Sequence, residues 1–251
     1  MRRRLLNSYL LVLLALLLLN GCRSSKNIEV RDDSIISTSK SEFFANLNNS
    51  LDQKASVNSY LSKKVTISSD DIPLYSTLNM QLYLRDDNYM ISKVYTPFPV
   101  LEVLKMKYES GSVIYESKMM GINNSKSFPN EFISFFKYCL IGSVPKAYLI
   151  FGDTDFSKFS LYVQNNKYVL SRSNSSLNLS IYINSDYTLS SITADYTGGL
   201  SFNAICQDYS FVDGYNIPKK LSFDFSSNTH KIKADLSIKN ILINSQSKID
   251  Y

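Results

Sequence analysis

Tryptophan is absent from this 251-residue chain, histidine occurs once, cysteine three times and glycine only eight times. Each shortage closes off a class of chemistry. One His and three scattered Cys do not supply the ligands of a usual zinc site, and a Ser-His-Asp arrangement would have to run through His230. His230 itself follows a Ser/Asn turn and reads as an exposed residue at a strand end. Neither GxGxxG nor GxxxxGKS/T occurs, so no phosphate-cradling loop of the familiar kinds is present. The close acidic residues, Asp32-Asp33, Asp70-Asp71, Asp86-Asp87 and Asp153 with Asp155, lack EF-hand spacing and read as solvated turn or tether carboxylates. These counts predict no metal, no cofactor, no catalytic residue and a protein that is not an enzyme.

Charge of one sign is also scarce. The formal +5 comes from 27 Lys and Arg against 22 Asp and Glu. Arg2, Arg3 and Arg4 fall in a removable leader, and without them 24 stand against 22, a net of +2. No run of basic residues with interleaved aromatics appears, so a nucleic-acid partner is not expected. What the chain does have is apolar and aromatic mass. It is 44% apolar and carries 18 Tyr and 14 Phe, enough for one large core and too much for a disordered chain.

The first residues are a sorting signal by pattern. A basic start is followed by a Leu-dominated stretch from Leu5 to Leu19, short for a stable membrane span. It ends in Leu19-Asn20-Gly21-Cys22, which resembles the bacterial lipobox. That resemblance implies cleavage before Cys22 and acylation of Cys22, hence a lasting membrane anchor. Arg23-Ser24-Ser25-Lys26 lacks the acidic residues of an inner-membrane retention signal, so the expected location is the periplasmic face of the outer membrane. Residues 1–21 are then the signal peptide, 22–38 the lipidated Cys and a flexible tether, and 39–251 a single domain.

Within that domain two segments have helical spacing. Ser39 to Glu42 fits a capping box, and Phe43, Phe44, Leu47 and Leu51 then share one face of a helix to about Gln53. A second helix is expected from near Ser127, with Pro129 in its first turn and Phe132, Phe135, Phe136, Cys139 and Leu140 along its buried face, ending at Gly142. Nearly everything else alternates with period two, as in Leu78-Met80-Leu82-Leu84 or Leu177-Leu179-Ile181-Ile183. Turn residues separate these runs at hairpin spacing. The expected architecture is α+β, mainly β: an antiparallel half-open barrel of about 10–11 strands wrapped around two helices. Cys139 and Cys206 both point inward by period, and the oxidising periplasm leaves two readings open, a helix-to-sheet disulfide or two buried thiols.

The order of lipobox, tether, helix, strands, mid-chain helix and strands resembles the LolA/LolB superfamily of lipoprotein-sorting factors. More closely, it resembles a family of outer-membrane lipoproteins of that type. The local wording agrees. Pro97-Phe98-Pro99-Val100-Leu101-Glu102-Val103-Leu104-Lys105, followed by Gly111-Ser112-Val113-Ile114-Tyr115, resembles the family's strand, turn and strand. Tyr209 to Pro218 resembles its late hairpin, while Tyr95 and Lys105 stand where the family often has Trp and Arg.

The resemblance implies a cavity between sheet and helices that receives acyl chains of a lipid or lipoprotein. Its lining would be Phe132, Phe135, Phe136, Leu82, Leu179, Ile181, Phe202, Phe223 and Leu236. It also implies that the loop after the third strand carries an apolar residue to membrane or cargo, here Phe98 with Val100. The other reading folds Phe98 back over the barrel. Apolar composition alone does not separate a lined cavity from a solid core. The functional expectation is therefore a monomeric, outer-membrane-anchored lipoprotein that binds acyl chains and aids lipoprotein localisation or insertion. The alternative is an envelope assembly or scaffold lipoprotein with a filled barrel and no ligand.

Overall fold

The computed structural model describes residues 39–68, 77–85, 89–117, 122–127, 136–144, 158–226 and 231–245. The signal segment, Cys22 and the tether, the four acidic pairs, Pro129, Phe132, Phe135 and His230 lie outside the described residues.

Helix α1 spans Lys40–Ala55 and starts as its sequence dictates. Ser39 is the extended N-cap, and its Oγ accepts the Glu42 amide at 3.2 Å. Phe43, Leu47 and Leu51 are buried along one face, and Lys54 joins them a turn later. The second helical segment is described over residues 136–140 and stops at Gly142, whose φ of +62° suits glycine. Ser127 closes a strand instead of opening that helix.

The thirteen strands are β1 (Ser59–Ser68), β2 (Thr77–Arg85), β3 (Tyr89–Tyr95), β4 (Glu102–Glu109), β5 (Ser112–Ser117), β6 (Ile122–Ser127), β7 (Ser160–Gln164), β8 (Lys167–Ser173), β9 (Leu177–Ile183), β10 (Leu189–Tyr196), β11 (Leu200–Val212), β12 (Tyr215–Ser226) and β13 (Lys231–Ile243). All lie in one antiparallel sheet in the order β6-β5-β4-β3-β2-β1-β13-β12-β11-β10-β9-β8-β7. The chain thus builds a meander outward from β1 to β6, resumes at the opposite edge with β7, and returns to pair β13 with β1. Short hairpin connections make each meander local in sequence.

The strand count needs correction: the described residues form 13 strands, not 10–11. The expected half-open sheet is open, with β6 and β7 as its edges, and does not close into a barrel. The reason is visible in the edge sequences. Strand β6 reads Ile-Asn-Asn-Ser-Lys-Ser, without an apolar phase, so its pattern does not announce a strand. Such a polar strand suits an edge that faces water.

One phase of the strands faces the helices. Leu82, Leu179, Ile181 and Leu236 lie in that core at 6% exposure or less, with Phe43 and Leu47 of α1 fully buried among them. Helix α1 packs over the β8–β10 side: the Phe43 ring lies 4.6 Å from Tyr168 and 5.8 Å from Tyr187, and Tyr168 stacks on Tyr187. Asn46 Nδ2 donates to Tyr187 Oη at 2.9 Å. At the helix end, the Lys54 ammonium donates to the Ile141 carbonyl at 2.8 Å and to the Asn216 carbonyl. It thereby ties α1 to the second helical segment and to the β11–β12 hairpin. Burial draws the Lys54 ammonium down to about 8 against the opposing pull of Asp186.

Candidate functional site

Cross-strand register orders the inner face into rows. Cys206, Leu221, Leu236, Ile67 and Leu78 lie in one row across β11, β12, β13, β1 and β2. Toward the α1 end of the strands the inner side chains are shut in: Tyr60, Tyr108, Ile217 and Leu84 are at most 1% exposed. Toward the other end Ile67, Leu78, Phe223 and Phe202 are half-buried, while Ala204, Ala194 and Leu179 beside them in the register stay buried. Phe136 of the second helical segment meets Phe223 at 5.8 Å, and Phe223 meets Phe202 at 6.1 Å. The inner face is therefore packed under α1 at one end and carries half-buried apolar side chains at the other.

The loop between β3 and β4 stands at this half-buried end, since Tyr95 pairs with Asn79 beside Leu78. Its base is Thr96, 1% exposed. The Thr96 amide donates to the Leu101 carbonyl at 2.9 Å, and the Leu101 amide donates to Thr96 Oγ1 at 3.0 Å. The Thr96 hydroxyl donates in turn to the Pro99 carbonyl. This staple, together with two prolines of fixed φ, holds up a short apolar tip. Phe98 is 86% exposed, Val100 70% and Leu101 50%. The Phe98 ring does not fold back over the sheet.

No family model matches the chain, and no curated protein matches it. Solved structures do match. A LolA superfamily protein from Nitrosomonas europaea superposes with a TM-score of 0.51 at 10% identity, covering 81% of this chain and 94% of that one. A DUF1329 family protein from Desulfovibrio piger gives 0.51 at 12% identity, with 82% and 94% covered. The chain has a LolA/LolB-like fold. A Vibrio parahaemolyticus domain described as an outer membrane lipoprotein-sorting protein agrees, at 0.50 and 10% identity over 80% of this chain and 93% of that one.

In this LolA-like fold the residues singled out by the sequence fall into three groups. Leu82, Leu179, Ile181 and Leu236 are deep core. Phe136, Phe202 and Phe223 form the aromatic part of the half-buried end. Phe98 and Val100 project on the loop, outside the core altogether. Thr96, Leu101 and Ile67 were not foreseen as site residues. Thr96 had a readable signal, a hydroxyl residue at the base of a proline turn, where such side chains bond the backbone of the turn.

The two inward cysteines meet between helix and sheet as free, buried thiols. Cys206 Sγ donates to the Cys139 carbonyl at 3.6 Å. A thiol-to-thiol hydrogen bond with Cys206, together with burial, pushes the Cys139 thiol well up. Among the described residues no three His, Cys, Asp or Glu side chains are grouped to hold a metal ion.

Proposed function

We propose that this protein is an outer-membrane-anchored periplasmic lipoprotein, held through acylated Cys22, whose LolA-like domain binds acyl chains of a lipid or lipoprotein at the half-buried end and aids their delivery to the bilayer. The β3–β4 loop carries the reading: three apolar side chains raised on a hydrogen-bonded base cost solvation unless something apolar meets them. The half-buried rim of Ile67, Leu78, Phe136, Phe202 and Phe223 supplies the adjoining apolar surface.

The scaffold reading is favoured by one observation, the complete burial of Leu170, Ile181, Ile183 and Leu189 at the β8–β10 side. Binding of a fluorescent acyl-chain probe separates the two. The chain from residue 23 onward is expected to bind it saturably, and Phe223→Asp to weaken it by roughly 10-fold or more, as a charge replaces a ring worth about 1.5–3 kcal/mol of burial. Absence of saturable binding in the unmodified chain would establish the scaffold reading instead.

A further inference from the structure

The outer face of the sheet carries lysines that the register gathers into one row. Lys239 on β13 pairs directly with Lys64 on β1. A bulge between Ser62 and Val65 sets both Lys63 and Lys64 against Gln81 of β2. Gln81 pairs with Lys93 of β3, and Lys93 with Lys105 of β4. Like charges directly opposite one another across strands are destabilising. Lys105 has Glu116 opposite it on its other side, but the Lys239–Lys64 pair, with Lys63 and Lys93 beside it, has no such relief by register, and in a domain of nearly balanced charge it marks a cost accepted for a partner. Lys63, Lys64, Lys93 and Lys239 have no carboxylate at ion-pair distance among the described residues. The nearest acidic residues by register are Glu102, opposite Tyr95, and Glu116, opposite Lys105.

The row borders an open basin of about 490 Å³ lined by Lys63, Lys64, Asn79, Gln81, Tyr95 and Asn240, with Val100 of the apolar loop in its wall. Cations and amides therefore sit immediately beside side chains that avoid water. That combination matches a bilayer interface, where apolar groups enter the acyl region and lysines stay among phosphates. A nucleic acid or acidic peptide would leave Phe98 and Leu101 without an apolar partner.

We infer that the outer-face basin and its lysine row dock on the anionic headgroups of a phospholipid bilayer while the Phe98 loop enters the acyl layer. The inference rests on the reading that this loop touches a membrane and adds selectivity for anionic lipid. The test is cosedimentation of the chain from residue 23 onward, which contains every described strand and helix. Vesicles of phosphatidylcholine alone are compared with vesicles that also contain phosphatidylglycerol.

Anionic vesicles should bind more tightly, and added salt should erase the difference. The double variant Lys64→Gln/Lys93→Gln should lose roughly 10- to 30-fold on anionic vesicles and nothing on neutral ones. It should also melt no lower than the unmodified chain, because one member of each like-charge pair is gone. Equal binding to the two vesicle types, or an undiminished double variant, overturns the inference. If Phe98→Glu then still lowers binding to both, the loop reading stands without it; if neither vesicle is bound, both fall.

Discussion

Phe98→Glu is expected to lower vesicle association of the chain from residue 23 onward by roughly 30- to 150-fold, while Phe211→Glu leaves it unchanged. Burying a phenylalanine in an apolar medium is worth about 1.5–3 kcal/mol, and a carboxylate cannot follow it there. The two rings are matched controls. Phe98 is 86% exposed and Phe211 75%, but Phe211 pairs with Asn216 in the β11–β12 hairpin at the opposite, α1 end of the strands. General stickiness would respond to both substitutions, whereas a loop aimed at a membrane responds to one. Thr96→Val supplies a further check, because it removes the hydroxyl that holds the loop while keeping Phe98 itself. A smaller loss of association is expected, from the disorder the loop then has to give up on binding. Equal effects of Phe98→Glu and Phe211→Glu would refute the assignment of the loop.

Gly142→Ala is the substitution expected to cost most stability, about 2–4 kcal/mol. A Cβ at this position would lie 2.5 Å from Tyr209 Cε1, 2.8 Å from Tyr209 Oη and 3.0 Å from Pro218 Cδ, on a backbone with φ of +62°. The left-handed conformation alone costs a non-glycine residue roughly 1–2 kcal/mol, and overpacking adds about 1–3. Tyr209 is not free to move aside, since its hydroxyl donates to the Leu189 carbonyl and burial keeps it protonated. The neighbouring backbone is fixed as well: the Leu189 amide donates to the Gly142 carbonyl at 2.9 Å. For a domain of this size the loss amounts to a melting temperature lower by roughly 5–15 °C. Gly214→Ala separates strain from clash, since Gly214 has φ of +91° with nothing within 4 Å of the new atom. It should cost about 1 kcal/mol. A Gly142→Ala protein that melts with the unmodified chain would show that the contact with Tyr209 is not tight.

The parts of this architecture that depend on neighbours in sequence were legible before the structure. Ser39 and Glu42 announce the start of α1, and Phe43, Leu47 and Leu51 its buried face, because a helix couples residues three and four apart. Hairpin turns were equally open. Ser110-Gly111, Asn165-Asn166 and Asp213-Gly214 all adopt positive φ, the conformation for which Gly and Asn are suited.

What depends on the register of distant strands was hidden. Lys64, Lys93, Lys105 and Lys239 are scattered through the chain and form no basic run, yet pairing brings them into one row. Openness was hidden for a different reason. Phe202 and Ile181 have the same apolar phase, but one is half-buried and the other fully buried, a distinction set by what packs over each strand and not by residue type. The direction of Phe98 was settled by Thr96, whose bonds to Pro99 and Leu101 decide which way the loop leans.

Native mass spectrometry of the purified chain from residue 23 onward, before and after delipidation and re-addition of a diacyl phospholipid or an acylated peptide, tests the central claim most directly. The account predicts an acyl-bearing mass that copurifies or returns on re-addition, and that is lost in Phe223→Asp. A protein that stays bare in every condition, while folded as the unmodified chain, would contradict it and leave a LolA-like domain whose interior is solid.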